Sequence, residues 1–104
     1  MGINPNQFPI IWQAIGFWMR SKGISVKKLS FLTGYSKYRI ENGIREGTEW
    51  ITSDFLHSCV EVFGLRSSRQ RGIEETIDVL TDEECVEILT SPLRTTPHQG
   101  RLLD

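Results

Sequence analysis

Apolar residues recur at helical spacing from near the start of the chain. Ile11, Ile15, Trp18 and Met19 stand at i, i+4, i+7 and i+8, one face of an amphipathic helix. Pro9 suits the first turn of that helix, where its missing N–H costs nothing, and Gly23 is the expected stop after Lys22. Met1–Phe8, polar and rich in Asn and Pro, is expected to be a loose arm. A second helix over Val26–Thr33 turns Leu29, Ser30 and Thr33 inward and keeps Lys27 and Lys28 outside. Leu56, Cys59, Val60 and Phe63 form the inner stripe of a fourth helix, capped by Thr52 or Ser53 and ended by Gly64. Trp50 and Ile51 are expected to fold back onto the core.

The third helix admits two registers. It either stops at Asn42 with Gly43 as its cap or runs through Gly43 to Glu46 and stops at Gly47. The longer register keeps Ile40 and Ile44 on one face and is preferred, despite about 1 kcal/mol for an internal glycine. Gly16, inside the first helix, has the same cost and is expected to admit a neighbouring helix closely.

Between the second and third helices, Gly34-Tyr35-Ser36 supplies a stop, a bridge and a start. Gly34 is suited to the left-handed residue that closes a helix. Ser25 and Ser36 are suited to capping the two helix starts. A glycine-containing turn of this length between two short helices is the helix-turn-helix signature.

Beyond residue 65 the pattern weakens. Arg66–Gly72 reads as a basic connector, Ile73–Leu80 and Asp82–Thr90 as two short acidic helices, and Ser91–Asp104 as a disordered tail. Thr81 and Glu84 form a capping box for the second of these helices. The organisation is therefore an arm (1–8), a helical domain (9–65), a connector with an acidic helical appendix (66–90) and a tail (91–104).

Charge changes the picture. The whole chain carries a net −1, but residues 1–65 are net positive and residues 66–104 net negative. Between positions 20 and 39 stand Arg20, Lys22, Lys27, Lys28, Lys37 and Arg39, and no acid. That asymmetry is the electrostatic footprint of a phosphate-facing surface.

Other function classes find little support. Cys59 and Cys85 match no zinc or redox spacing and fall on apolar helical patterns, as buried thiols do. No apolar run approaches the ~18 residues of a membrane span, so a cytoplasmic protein is expected. The acids Asp82, Glu83, Glu84 and Glu87 suit a helix start without needing a metal. No phosphate loop, catalytic triad or paired-carboxylate pattern appears, and neither an enzyme nor a cofactor is indicated.

Gly23-Ile24-Ser25, Leu29-Ser30, Gly34-Tyr35-Ser36, Ile40, Gly47, Leu56 and Phe63-Gly64-Leu65 share a joint spacing over about residues 11–65. In this the chain resembles the XRE-type helix-turn-helix family, the fold of lambda-like phage repressors and Cro proteins. The resemblance implies an all-α bundle of four or five helices, here with a short acidic helical appendix. It also implies binding to double-stranded DNA, usually as a homodimer on a palindrome, and repressor-like regulation of transcription.

Three departures from that family stand out. Val26 occupies a position usually held by Gln that contacts the DNA backbone. Phe31 and Leu32 occupy positions that are usually polar, and are expected either to be covered by the rest of the chain or to meet a partner. Met19 and Ile44 replace an Arg–Glu pair; since an ion pair can be exchanged for apolar packing at little cost, the two are expected to touch.

With Ile40 and Ile44 inward, Lys37, Tyr38, Glu41, Asn42 and Arg45 are the candidates for base contact. Their chemistry suits base edges: Lys or Arg to guanine, Asn to adenine, Glu to the cytosine amino group. Ser25, Lys27, Lys28, Ser36 and Arg39, at the starts of the second and third helices, are the candidates for phosphate contact. Two other readings are a protein-interaction module working through Phe31 and Leu32, and a DNA-binding antitoxin whose residues 73–90 dock a protein.

Overall fold

The computed structural model describes residues 3–65 and 80–101. These residues form five helices and no strand: α1 (Phe8–Lys22), α2 (Val26–Thr33), α3 (Lys37–Glu46), α4 (Ser53–Val62) and α5 (Asp82–Arg101). The expected connector and most of the expected helix Ile73–Leu80 lie outside the described residues.

Local signals set the helix limits. Ser25, Ser36 and Thr52 each accept a backbone N–H three residues on, from Lys28, Arg39 and Phe55 at 3.1, 3.1 and 3.2 Å. Each bond satisfies one of the orphan donors of a first turn. α2 closes on Gly34 at φ 84° and α3 on Gly47 at φ 76°, conformations in which a side chain would be strained. The longer register of α3 is therefore the observed one. Thr81 and Glu84 form the reciprocal capping box at α5, at 2.9 and 3.1 Å.

One core cluster draws on all five helices. Ile11, Ile15 and Met19 are buried, with Leu29, Ile40, Ile51, Leu56, Cys59, Val60 and Phe63 facing them from the other elements. α1 packs against α3 and α5, and α4 packs against α2 and α5. α5 is thus a structural wall, with Cys85, Val86 and Leu89 buried, and Trp18 donates its Nε1–H to the Leu89 carbonyl at 2.9 Å.

Several expectations are corrected. The arm is placed from residue 3: Asn4 accepts from the Asn6 N–H at 3.0 Å in a short 3₁₀ turn, and Phe8 is buried. α5 does not stop at Thr90 but continues to Arg101. Leu93, four residues beyond Leu89, packs against the core and carries the apolar face past Pro92. Ile51 is buried as expected, but Trp50 is 57% exposed, with its ring set edge-on to Phe8.

Met19 is buried, whereas Ile44 is 36% exposed. Ile44 Cγ2 lies 3.7 Å from where a Cβ on Gly16 would stand, an ordinary contact distance, so the expected close approach of a helix at Gly16 does not require a glycine there. The expected Met19–Ile44 swap for an ion pair is therefore not realised as a buried contact. Next to Ile44 on α3, Gly43 is buried against the indole of Trp12.

Candidate nucleic-acid interface

The turn between α2 and α3 is held by side chains as well as by its glycine. Ser30 donates to the Tyr35 carbonyl at 2.6 Å, and the Tyr35 N–H donates to Thr33 Oγ1 at 3.3 Å. The Tyr35 ring stacks on Phe55 of α4, with centroids 3.9 Å apart and planes 13° from parallel. Its hydroxyl donates to the Trp50 carbonyl at 2.9 Å and accepts from the Thr52 N–H at 3.2 Å. One residue thus ties the turn to the start of α4, fixing α3 relative to the body.

The phosphate-contact candidates gather at two helix starts. Ser25 and Ser36 use an oxygen lone pair for capping, and each keeps an O–H to donate elsewhere. Lys27, Lys28 and Lys37 are exposed, and no hydrogen bond or ion pair engages their side chains among the described residues. Positive charge and free backbone donors therefore coincide at the start of α2 and of α3.

Arg39 is differently placed. Its guanidinium stands 5.1 Å from the Tyr35 ring centroid, and its Nε lies 3.4 Å from Glu49 Oε2. Glu49 Oε1 accepts from Asn42 Nδ2 at 2.8 Å, and Asn42 Oδ1 accepts from Arg45 Nη2 at 3.1 Å. Arg45 Nε also lies 3.5 Å from Glu46 Oε2, a pair exposed on both sides and so energetically weak.

This polar chain sorts the base-contact candidates. Lys37, Tyr38, Glu41 and Arg45 are exposed on α3. Asn42 is half-buried, and its amide nitrogen and oxygen both have protein partners. Reading adenine with both amide atoms would require Asn42 to give up those partners. The reason lies in the cap: Gly47 turns the chain back, and Glu49 lands beside residues 39 and 42.

Glu49 and Tyr35 were not legible as site residues. Glu49 stands seven positions beyond Asn42, and nothing in the spacing pairs them. Tyr35 reads only as a bridge, because its partners Phe55, Trp50 and Thr52 come from later in the chain.

Where α4 and α5 begin, Asp82 Oδ1 accepts from Ser53 Oγ at 2.7 Å and lies 3.0 Å from His57 Nε2. The Ser53 hydrogen bond lowers the Asp82 pKa below its ordinary value; partial desolvation opposes this, and His57 adds to the lowering. Burial pushes the Cys59 thiol well above its usual range, so it stays protonated. Among the described residues no three His, Cys, Asp or Glu side chains are grouped to hold a metal, and no helix is long and apolar enough to cross a membrane.

No protein-family model matches the chain, and no curated protein or solved structure matches it.

Proposed function

We propose that this chain is a sequence-specific double-stranded DNA-binding regulator of transcription, repressor-like and cytoplasmic, in which α2, the Gly34-Tyr35-Ser36 turn and α3 act as a helix-turn-helix. α3 enters the major groove, and Lys37, Tyr38, Glu41 and Arg45 face the base edges. The observation that carries this reading is the grouping of exposed Lys27, Lys28 and Lys37 at two serine-capped helix starts. A solvated polar face explains exposure, but not a run of basic residues without an acid from 20 to 39.

Duplex binding measured across a salt series tests it. Each phosphate contact contributes a slope of roughly 0.9 in log affinity against log salt. A Lys27→Ala/Lys28→Ala/Lys37→Ala variant is expected to lose much of the wild-type slope while keeping its fold. An unchanged slope would remove these lysines from the interface.

A second reading, a protein-interaction module, is favoured by one observation. Phe31 is 84% and Leu32 45% exposed on α2, so neither is covered by the described chain. Large apolar side chains left open together mark contact surfaces more often than neutral ones. Failure of duplex binding at low salt, with a Phe31→Ser change abolishing self-association or capture of a defined partner, would favour this reading.

A further inference from the structure

We propose that Glu49 is a positioning residue that competes with nucleic-acid phosphate for Arg39 and Asn42, and so holds down sequence-blind binding by the α3 face. The inference rests on the reading of α3 as a DNA-contacting helix. Oε1 of Glu49 takes Asn42 Nδ2 at 2.8 Å, and Oε2 faces Arg39 Nε at 3.4 Å. A carboxylate oxygen faces a guanidinium N–H as a phosphate oxygen does, so Glu49 Oε2 stands where a phosphate would meet Arg39 Nε.

Glu49 is not a loose surface acid. Its side chain is 19% exposed against 45% for Arg39. Its backbone carbonyl accepts the Nε1–H of buried Trp12 at 2.9 Å, which fixes the main chain from the core side. Arg39 in turn is steadied by the face of Tyr35. The acid is therefore built into the segment that follows α3, with its charge directed at the one arginine that the start of α3 offers to phosphate.

Two consequences follow from the charge. A phosphate approaching Arg39 meets a fixed negative group beside its partner, and the cost is the same for every DNA sequence. Arg39, already paired with Glu49, neutralises little phosphate charge and so releases few of the counterions condensed on the DNA. Glu49→Gln keeps the shape, and its amide oxygen still accepts from Asn42, but the charge facing Arg39 is gone.

The test is the affinity of the full chain for a mixed-sequence duplex over a salt series, for wild type, E49Q, R39A and E49Q/R39A. E49Q is expected to bind several-fold more tightly at low salt, with a slope steeper by about 0.9, one added phosphate contact. R39A is expected to keep the wild-type slope, and the double variant to lose the gain. An E49Q slope equal to wild type would overturn the proposal, as would an R39A slope lower by a full contact. Should E49Q fail to fold, R39A alone decides between these outcomes. Absence of duplex binding by all four proteins would instead bring down the DNA reading, and this inference with it.

Discussion

The indole of Trp12 lies directly against the backbone of Gly43, in the space that a Cβ at position 43 would occupy. Trp12 is almost wholly buried, its ring tilted beside Phe55 at 5.5 Å, and its Nε1–H reaches the Glu49 carbonyl. The glycine that weakens α3 as an isolated helix is thus what lets α1 seat against it.

Two glycine-to-alanine changes should therefore have opposite effects. Gly43→Ala forces a methyl group into a rigid ring and is expected to destabilise by about 1–3 kcal/mol, the usual cost of overpacking. At Gly16, a Cβ would meet Ile44 and Arg20 only at ordinary contact distance, 3.7 Å. Gly16→Ala should be neutral or stabilising by up to ~1 kcal/mol through helix propensity. Urea unfolding of both variants checks the contrast, and equal destabilisation would contradict the observed packing.

Tyr35→Phe leaves the stack on Phe55 but removes the hydroxyl that serves the Trp50 carbonyl and the Thr52 N–H. A loss of about 1 kcal/mol per net hydrogen bond is expected. Because the hydroxyl ties the α2–α3 turn to the start of α4, amide exchange near Thr52 should rise. Unchanged exchange there would remove Tyr35 as the link.

Asp82 gives the fold an acid-side dependence. Its pKa is lower folded than unfolded, so its contribution is fully present above the unfolded value of about 3.9 and is lost as pH falls through the folded value. Asp82→Asn should be less stable than wild type near neutrality and should lose less on acidification below about pH 4. Stability measured by urea at several pH values checks this; parallel curves for the two proteins would contradict it.

Much of the fold could be read from local punctuation. Ser25, Gly34, Ser36 and Gly47 act within one turn of themselves, and α2 and α3 fall where these residues place them. The buried stripe of α4 was likewise legible, since Leu56, Cys59, Val60 and Phe63 follow helical spacing. The misses depend on distant partners. Trp12 stands three and seven residues before Ile15 and Met19, but its seat between Gly43 and Phe55 depends on where α3 and α4 come to lie. The stretch from Ser91 reads as a disordered tail, yet Leu93 extends the packed face of α5. Phe31 carried no local sign of whether the rest of the chain would cover it.

The candidate site divides in the same way. Exposed Lys27, Lys28, Lys37 and Tyr38 could be placed from periodicity, because Leu29 and Ile40 fix the inward faces of their helices. The engagement of Asn42 and Arg39 by Glu49 could not, because it depends on how Gly47 redirects the chain.

Selection from a randomised duplex pool, with wild type beside a Lys37→Ala/Arg45→Ala variant, tests the central claim most directly. Enrichment of one sequence by wild type alone is expected, and a palindromic result would give the spacing of a dimer. Equal, sequence-blind recovery by both proteins, or no recovery at low salt, would contradict α3 as a reader of DNA.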